Sequence, residues 1–88
     1  MYRFEHAGDG LLAVFDRPIR AVRCAVAMAA AARSMDLPIR VGVHTGEVEL
    51  SGDDARGLAI HTAARVMALG GADDVMVSST TRDLLEGS

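Results

Sequence analysis

The stretch that decides the fold reads Asp54-Ala55-Arg56-Gly57-Leu58-Ala59-Ile60-His61-Thr62-Ala63-Ala64-Arg65. A loop carboxylate and a glycine come first, and a helix follows. Ile60, Ala63, Ala64 and Met67 fall at i, i+3, i+4 and i+7, which is one apolar helical face. His61 and Arg65 are four residues apart and project from a second stripe of the same helix. A solvated polar face is the simplest account of that stripe. A carboxylate ahead of a helix that carries an imidazole and a guanidinium also suits the lining of a ligand site. Gly70-Gly71 ends the helix.

Upstream, Gly8-Asp9-Gly10 separates a short extended stretch from Leu11-Leu12-Ala13-Val14-Phe15. Asp-Gly between two strands signals a hairpin, because both turn positions tolerate positive φ. Asp16 then reads as a helix N-cap, with Pro18 in the first turn. The helix runs to about Ser34, with Ile19, Val22, Val26 and Ala29 or Ala30 as its buried stripe. Arg20, Arg23 and Arg33 face outward. Leu37-Pro38 breaks it. Ile39, Val41 and Val43 alternate with Arg40, Gly42 and His44 at the period of a strand, and Val48 and Leu50 continue the extended pattern. Ser51-Gly52-Asp53-Asp54 reads as a loop. Downstream of the central helix, Val75-Met76-Val77 is a short strand. Thr80-Thr81-Arg82-Asp83 suits a capping box on a last short helix closed by Gly87.

The order is therefore β-β-α-β-(β)-α-β-α, an α+β arrangement of a sheet with helices on its faces. Eighty-eight residues make one small, marginal domain. Too few strands are present for a comfortable sheet, and an unpaired edge invites pairing with another chain. The core must come from Ala, Val, Leu, Ile and Met, because aromatics are only 3% of the chain. A net charge of −3 gives no support for a nucleic-acid surface. The lone Cys24 fits a reduced compartment and a small buried side chain. Neither a secretory leader nor a membrane-length apolar run is present, so the expected address is the cytoplasm. All 9 basic residues are Arg; Lys, Asn and Gln are absent.

Together the blocks G-D-G-L-L-A-V-F, R-V-G-V-H-T-G-E-V, G-D-D-A-R-G-L-A-I-H-T-A-A-R-V and V-M-V-S-S-T-T-R-D-L-L resemble the catalytic domain of class III adenylate and guanylate cyclases. The resemblance runs from about Glu5 to Ser88 and makes residues 1–88 the later part of such a domain. It implies a ferredoxin-like nucleotide cyclase fold, present in part. It implies a lineage in which the 3′-hydroxyl of ATP attacks its own α-phosphate, giving 3′,5′-cyclic AMP and pyrophosphate. It implies Mg2+ or Mn2+, and a site formed head to tail between two copies or with another cyclase domain. Two metal ions activate the hydroxyl and neutralise phosphate, which calls for two aspartates. A guanidinium meets the charge that grows on the α-phosphate oxygens.

Residue by residue, the resemblance makes Asp9 a metal ligand, Arg65 the transition-state arginine and Asp54 the purine-reading aspartate. Three positions depart from the pattern. The strand with the first metal aspartate would lie ahead of residue 1. Glu5 stands where a purine-reading lysine is expected. His61 stands where the catalytic asparagine is expected; it donates a hydrogen bond but adds a titrating charge. The expectation is a nucleotide cyclase-like domain that is inactive or degenerate as an isolated chain. The alternative is a non-catalytic dimerisation or nucleotide-binding regulatory module.

Weaker signals have plainer readings. His44, Glu47 and Glu49 follow one strand, but their spacing matches no strong metal motif, and H-T-G-E resembles a structural segment of the cyclases. His6 is a hairpin histidine and Arg56 a solvent-facing arginine.

Overall fold

The computed structural model describes residues 3–7, 10–51 and 54–87, with side-chain surroundings for 10–49 and 57–87. Its elements are β1 (Arg3–Ala7), β2 (Gly10–Val14), α1 (Pro18–Ser34), β3 (Val41–Val43), β4 (Glu49–Ser51), β5 (Asp54–Arg56), α2 (Leu58–Ala68), β6 (Val75–Val77) and α3 (Ser79–Glu86). The strands pair two by two. β1 and β2 form an antiparallel hairpin closed by Ala7 opposite Gly10. β4 and β5 form a second hairpin closed by Ser51 opposite Asp54. β3 and β6 run parallel, with Val41, Gly42 and Val43 opposite Val75, Met76 and Val77. A parallel pair needs a crossover, and α2 supplies it. The mixed class expected from the sequence is present, as three two-stranded sheets.

The β3–β6 pair is the centre of the molecule. Gly42 is the reason α2 can lie on it. A Cβ at Gly42 would stand 2.5 Å from the Ala63 carbonyl oxygen and 2.6 Å from the Met67 nitrogen. The helix backbone therefore rests directly on the strand. Gly70, just past the end of α2, makes room for a side chain instead: a Cβ there would come within 2.5 Å of the Met76 Cγ. Alternation along a strand puts Val41 and Val43 on the other face, toward α1. Val43 is 7% exposed, and Ala29 of α1 is 2% exposed.

Small residues decide how α1 sits. Its buried residues are Ala25 and Ala29, not the expected Val26, which is exposed, as is Ile19. The alanines win the inner face because a side chain of one carbon lets helix and strand backbones approach closely. Ala27, Ala30 and Ala31 stand outside. Arg20, Arg23 and Arg33 are exposed as expected.

The helix ends also correct the sequence reading. Arg17, in extended conformation, is the N-cap of α1, and its side chain makes no capping bond. Asp16 instead meets Arg20 at 3.7 Å in an exposed i,i+4 ion pair. Pro18 is the first helical residue, where its missing N–H costs nothing. At the other end Asp36 has φ +56°. The Leu37 N–H donates to Ala32 O and the Asp36 N–H to Arg33 O, which is the Schellman closure. The helix is thus closed before Pro38 is reached.

Gly42→Ala is expected to destabilise the protein by about 2–3 kcal/mol, since both nearest obstacles are backbone atoms of α2 that cannot rotate away. Gly71→Ala, where a Cβ would meet only Asp74 Oδ2 at 3.6 Å, should change stability by less than about 0.5 kcal/mol. Urea denaturation of the two variants against the parent chain checks the contrast.

Candidate functional site

Polar side chains gather at two places, the open face of α2 and the ends of β3 and β6 where α3 begins. The α2 helix starts at Leu58, directly after Gly57 as the sequence suggests, and Asp54–Arg56 ahead of it is a strand. Asp54 is therefore not a loop carboxylate; it opens β5 opposite Ser51. Gly57 makes the change of direction from β5 into α2 at φ +143°, a conformation that favours glycine. A Cβ there would also press on the Glu47 carbonyl at 2.9 Å.

From that start the helix turns Ala59, Ile60, Thr62, Ala63 and Val66 toward the protein and leaves Leu58, His61, Ala64, Arg65 and Ala68 exposed. His61 and Arg65 thus share one open face, four residues apart. Ala64, expected on the apolar face, lies outside it, whereas Met67 turns its Cβ toward β3, 2.7 Å from where a Cβ on Gly42 would stand. The shift follows from Gly42: α2 approaches through its backbone near Ala63 and Met67, so the contact needs no long side chain. Leu58 is 80% exposed at the head of the polar face, and Leu69 is as open just beyond its end.

Of the other expected site residues, Glu5 lies on β1 opposite Leu12. Asp9 lies outside the described residues, as do the side chains of Glu5 and Asp54. Among the described residues, no three His, Cys, Asp or Glu side chains gather to hold a metal ion. His44, Glu47 and Glu49 are included in that statement.

Beside the α2 face lies an open groove of about 610 Å³ between the β3–β4 connection and the first turn of α2. His44, Glu47, Leu58 and Thr62 are among its lining residues. His44 and Thr45 follow β3 directly; Ser78 follows β6. The parallel pairing brings these two strand ends together, and a hydroxyl cluster forms there. The His44 Nδ1 and Ser78 Oγ are 2.8 Å apart. Ser78 Oγ donates to Thr81 Oγ1 at 3.1 Å, and Thr81 Oγ1 is 2.8 Å from Thr45 Oγ1. With Ser78 as donor to Thr81, the consistent arrangement has His44 Nδ1–H donating to Ser78. Thr81 is fully buried, at 0% exposure.

This cluster also caps α3. The Thr81 N–H donates to Ser78 Oγ at 3.3 Å, so Ser78 is the N-cap. The expected box at Thr80–Asp83 is two residues too late. Asp83 instead meets Arg82 in an exposed pair at 3.2 Å. The sequence reading places Thr81 inside that box and gives Ser78 no role. Their spacing, Ser-x-x-Thr directly after a strand, was the available signal.

Comparison with known proteins bears on the chain as a whole. No family model matches the chain. Over 92 residues, 96% of the chain, it is 35% identical to a protein of Rhizobium meliloti (strain 1021) named "Putative adenylate cyclase 3". The relationship this supports is cyclase-like. The chain is also 33% identical over 82 residues to uncharacterized proteins of Mycobacterium bovis and Mycobacterium tuberculosis. It spans 16% of the length of the Rhizobium protein and 28% of the mycobacterial ones. Among the described residues, no helix is long and apolar enough to cross a membrane.

Thr81→Val should cost about 1–3 kcal/mol, because it strands the Thr45 and Ser78 hydroxyls in a half-buried cluster. His61→Ala and Arg65→Ala, both on the open face, should each stay within about 0.5 kcal/mol of the parent. Thermal unfolding followed by circular dichroism separates the structural cluster from the exposed pair.

Proposed function

We propose that this chain is a nucleotide cyclase-type domain of the class III lineage. The reaction of that lineage converts ATP to 3′,5′-cyclic AMP and pyrophosphate in cyclic-nucleotide signalling, and the 88 residues alone turn over little of it. The carrying observation is the pairing of His61 and Arg65 on one open face of α2. Similarity to the Rhizobium protein across nearly the whole chain supports the reading.

In this reading the three sheets are parts of a ferredoxin-like cyclase fold. The exposed α2 face is one wall of a site that a second copy, or another cyclase domain, completes. Arg65 stabilises charge growing on the α-phosphate oxygens. His61 offers its ring N–H in place of an asparagine amide. Asp54 reads the purine edge, and Glu5 occupies the place of a purine-reading base. Asp9 contributes a carboxylate toward Mg2+ or Mn2+, which when bound would neutralise the triphosphate and activate the hydroxyl. Removing one transition-state stabiliser costs roughly 3–4 kcal/mol, or about 10²–10³ in rate. Glu5 in place of a base thus reduces turnover, while a nucleotide can still be held.

That last point favours a second reading, a nucleotide-binding or dimerisation module without turnover. Glu5 is the residue that supports it, since an acid at a purine- and phosphate-facing position disfavours catalysis. Incubation of the chain with ATP and Mn2+ separates the two. The cyclase reading expects only trace cyclic AMP from the parent chain and at least a tenfold gain in Glu5→Lys/His61→Asn. Arg65→Ala in that background should return it to the trace level. ATP-dependent stabilisation with no cyclic AMP from any variant would leave the binding module. Neither stabilisation nor product would overturn both.

A further inference from the structure

The open groove of about 610 Å³ beside the first turn of α2 takes no part in the nucleotide reading, since neither His61 nor Arg65 lines it. Two close contacts hold its walls. A Cβ on Gly46 would stand 2.8 Å from the Ala59 Cβ, and one on Gly57 would stand 2.9 Å from the Glu47 carbonyl oxygen. The β3–β4 connection is thus seated on the start of α2 at two points, and the groove is formed before any ligand arrives. Leu58, 80% exposed, and Ala59 give one wall an apolar surface.

The polar side chains of the lining are of one kind. His44 donates its Nδ1–H to Ser78 at 2.8 Å, so Nε2 of the neutral ring is an acceptor. That nitrogen is 3.7 Å from where a Cβ on Gly46 would stand, and both residues line the groove. Thr62 donates its hydroxyl proton to the Leu58 carbonyl oxygen at 3.2 Å and keeps its lone pairs. Glu49 stands opposite Arg56 in the β4–β5 register. Glu47 has no ion pair among the described residues. Acceptors of hydrogen bonds therefore meet here around an unneutralised carboxylate, and among the described residues no Arg lines the groove.

We propose that this groove binds an alkylguanidinium or alkylammonium cation, with its head donating to Glu47 and to His44 Nε2 and its stem lying on Leu58 and Ala59. Such a head carries donors and no acceptor, which complements the lining. A methylene stem covers apolar surface while the charge stays at the carboxylate. The start of α2 pulls the other way, toward anions, so the test sets a cation against an anion. Two sources supply the cation chemistry, a free small amine and the arginine side chain of a polypeptide.

Agmatine and inorganic phosphate are titrated separately into the 15N-labelled full chain, and amide shifts are read at Gly46, Glu47 and Thr62. Agmatine should shift all three along one saturating curve. Glu47→Gln should weaken that curve about fivefold, the scale of a solvent-accessible charge pair. Asp83→Asn, which removes an exposed carboxylate on α3, should leave it unchanged. N-acetyl-arginine amide in place of agmatine assigns the source. Equal or tighter binding points to a polypeptide side chain and weaker binding to a free amine, and either result keeps the cation site. No saturable shift with agmatine would overturn the proposal. So would an unchanged affinity in Glu47→Gln, or an equal loss in Asp83→Asn, which marks diffuse attraction to a net negative chain. A larger response of these amides to phosphate than to agmatine would give the groove to the α2 N-terminus and overturn it as well.

Discussion

The structure depends on a side chain that is absent. At Gly42 the backbone of α2 comes to rest on the backbone of β3, closer than any other residue would permit. The rest of the packing continues that theme. Gly70 admits Met76, Gly46 brings the β3–β4 connection to Ala59, and Ala25 and Ala29 line the inner face of α1. A chain with almost no aromatic residues cannot fill a wide interior. It holds its layers together by bringing main chains close, so that many weak dispersion contacts replace a few large ones. The cost is intolerance: a single added carbon at such a contact has no space to enter.

That same closeness fixes where the chemistry faces. Because α2 is seated through Ala63 and Met67 backbone atoms, its rotation about its own axis is set, and His61 and Arg65 are turned outward. A helix seated through long side chains would have more freedom to roll. The exposed imidazole and guanidinium are therefore held by an interaction on the far side of the helix. The hydroxyl cluster of His44, Thr45, Ser78 and Thr81 acts one layer away, tying the ends of β3 and β6 to the start of α3.

Much of this was legible in the residues. The periodicity of Val41–Val43, the helix across Pro18–Ser34 and the His61–Arg65 stripe all follow from local rules of spacing. What local rules missed was decided by neighbours distant in sequence. Val26 looked as apolar as Ala25, and only the approach of β3 selects the smaller residue. Asp54 looked like a loop residue because the hairpin partner, Glu49–Ser51, is itself short and weakly patterned. Thr81 gave no sign of burial, since a threonine beside an arginine and an aspartate reads as surface. Asp16 lost its expected cap because the helix starts at Pro18, one residue too far along for its carboxylate to serve.

The parallel pairing of β3 with β6 carries a temporal consequence. The two hairpins close over neighbouring residues and form within about 1–10 μs. The parallel pair must bring together positions some 34 residues apart, the separation of His44 and Ser78. The chain entropy lost in closing so wide a loop is spent before any contact compensates it. Yet nearly everything that is buried sits on that pair. The assembly is thus ordered: local pieces early, the centre last, and the hydroxyl latch at the strand ends only after the centre has formed.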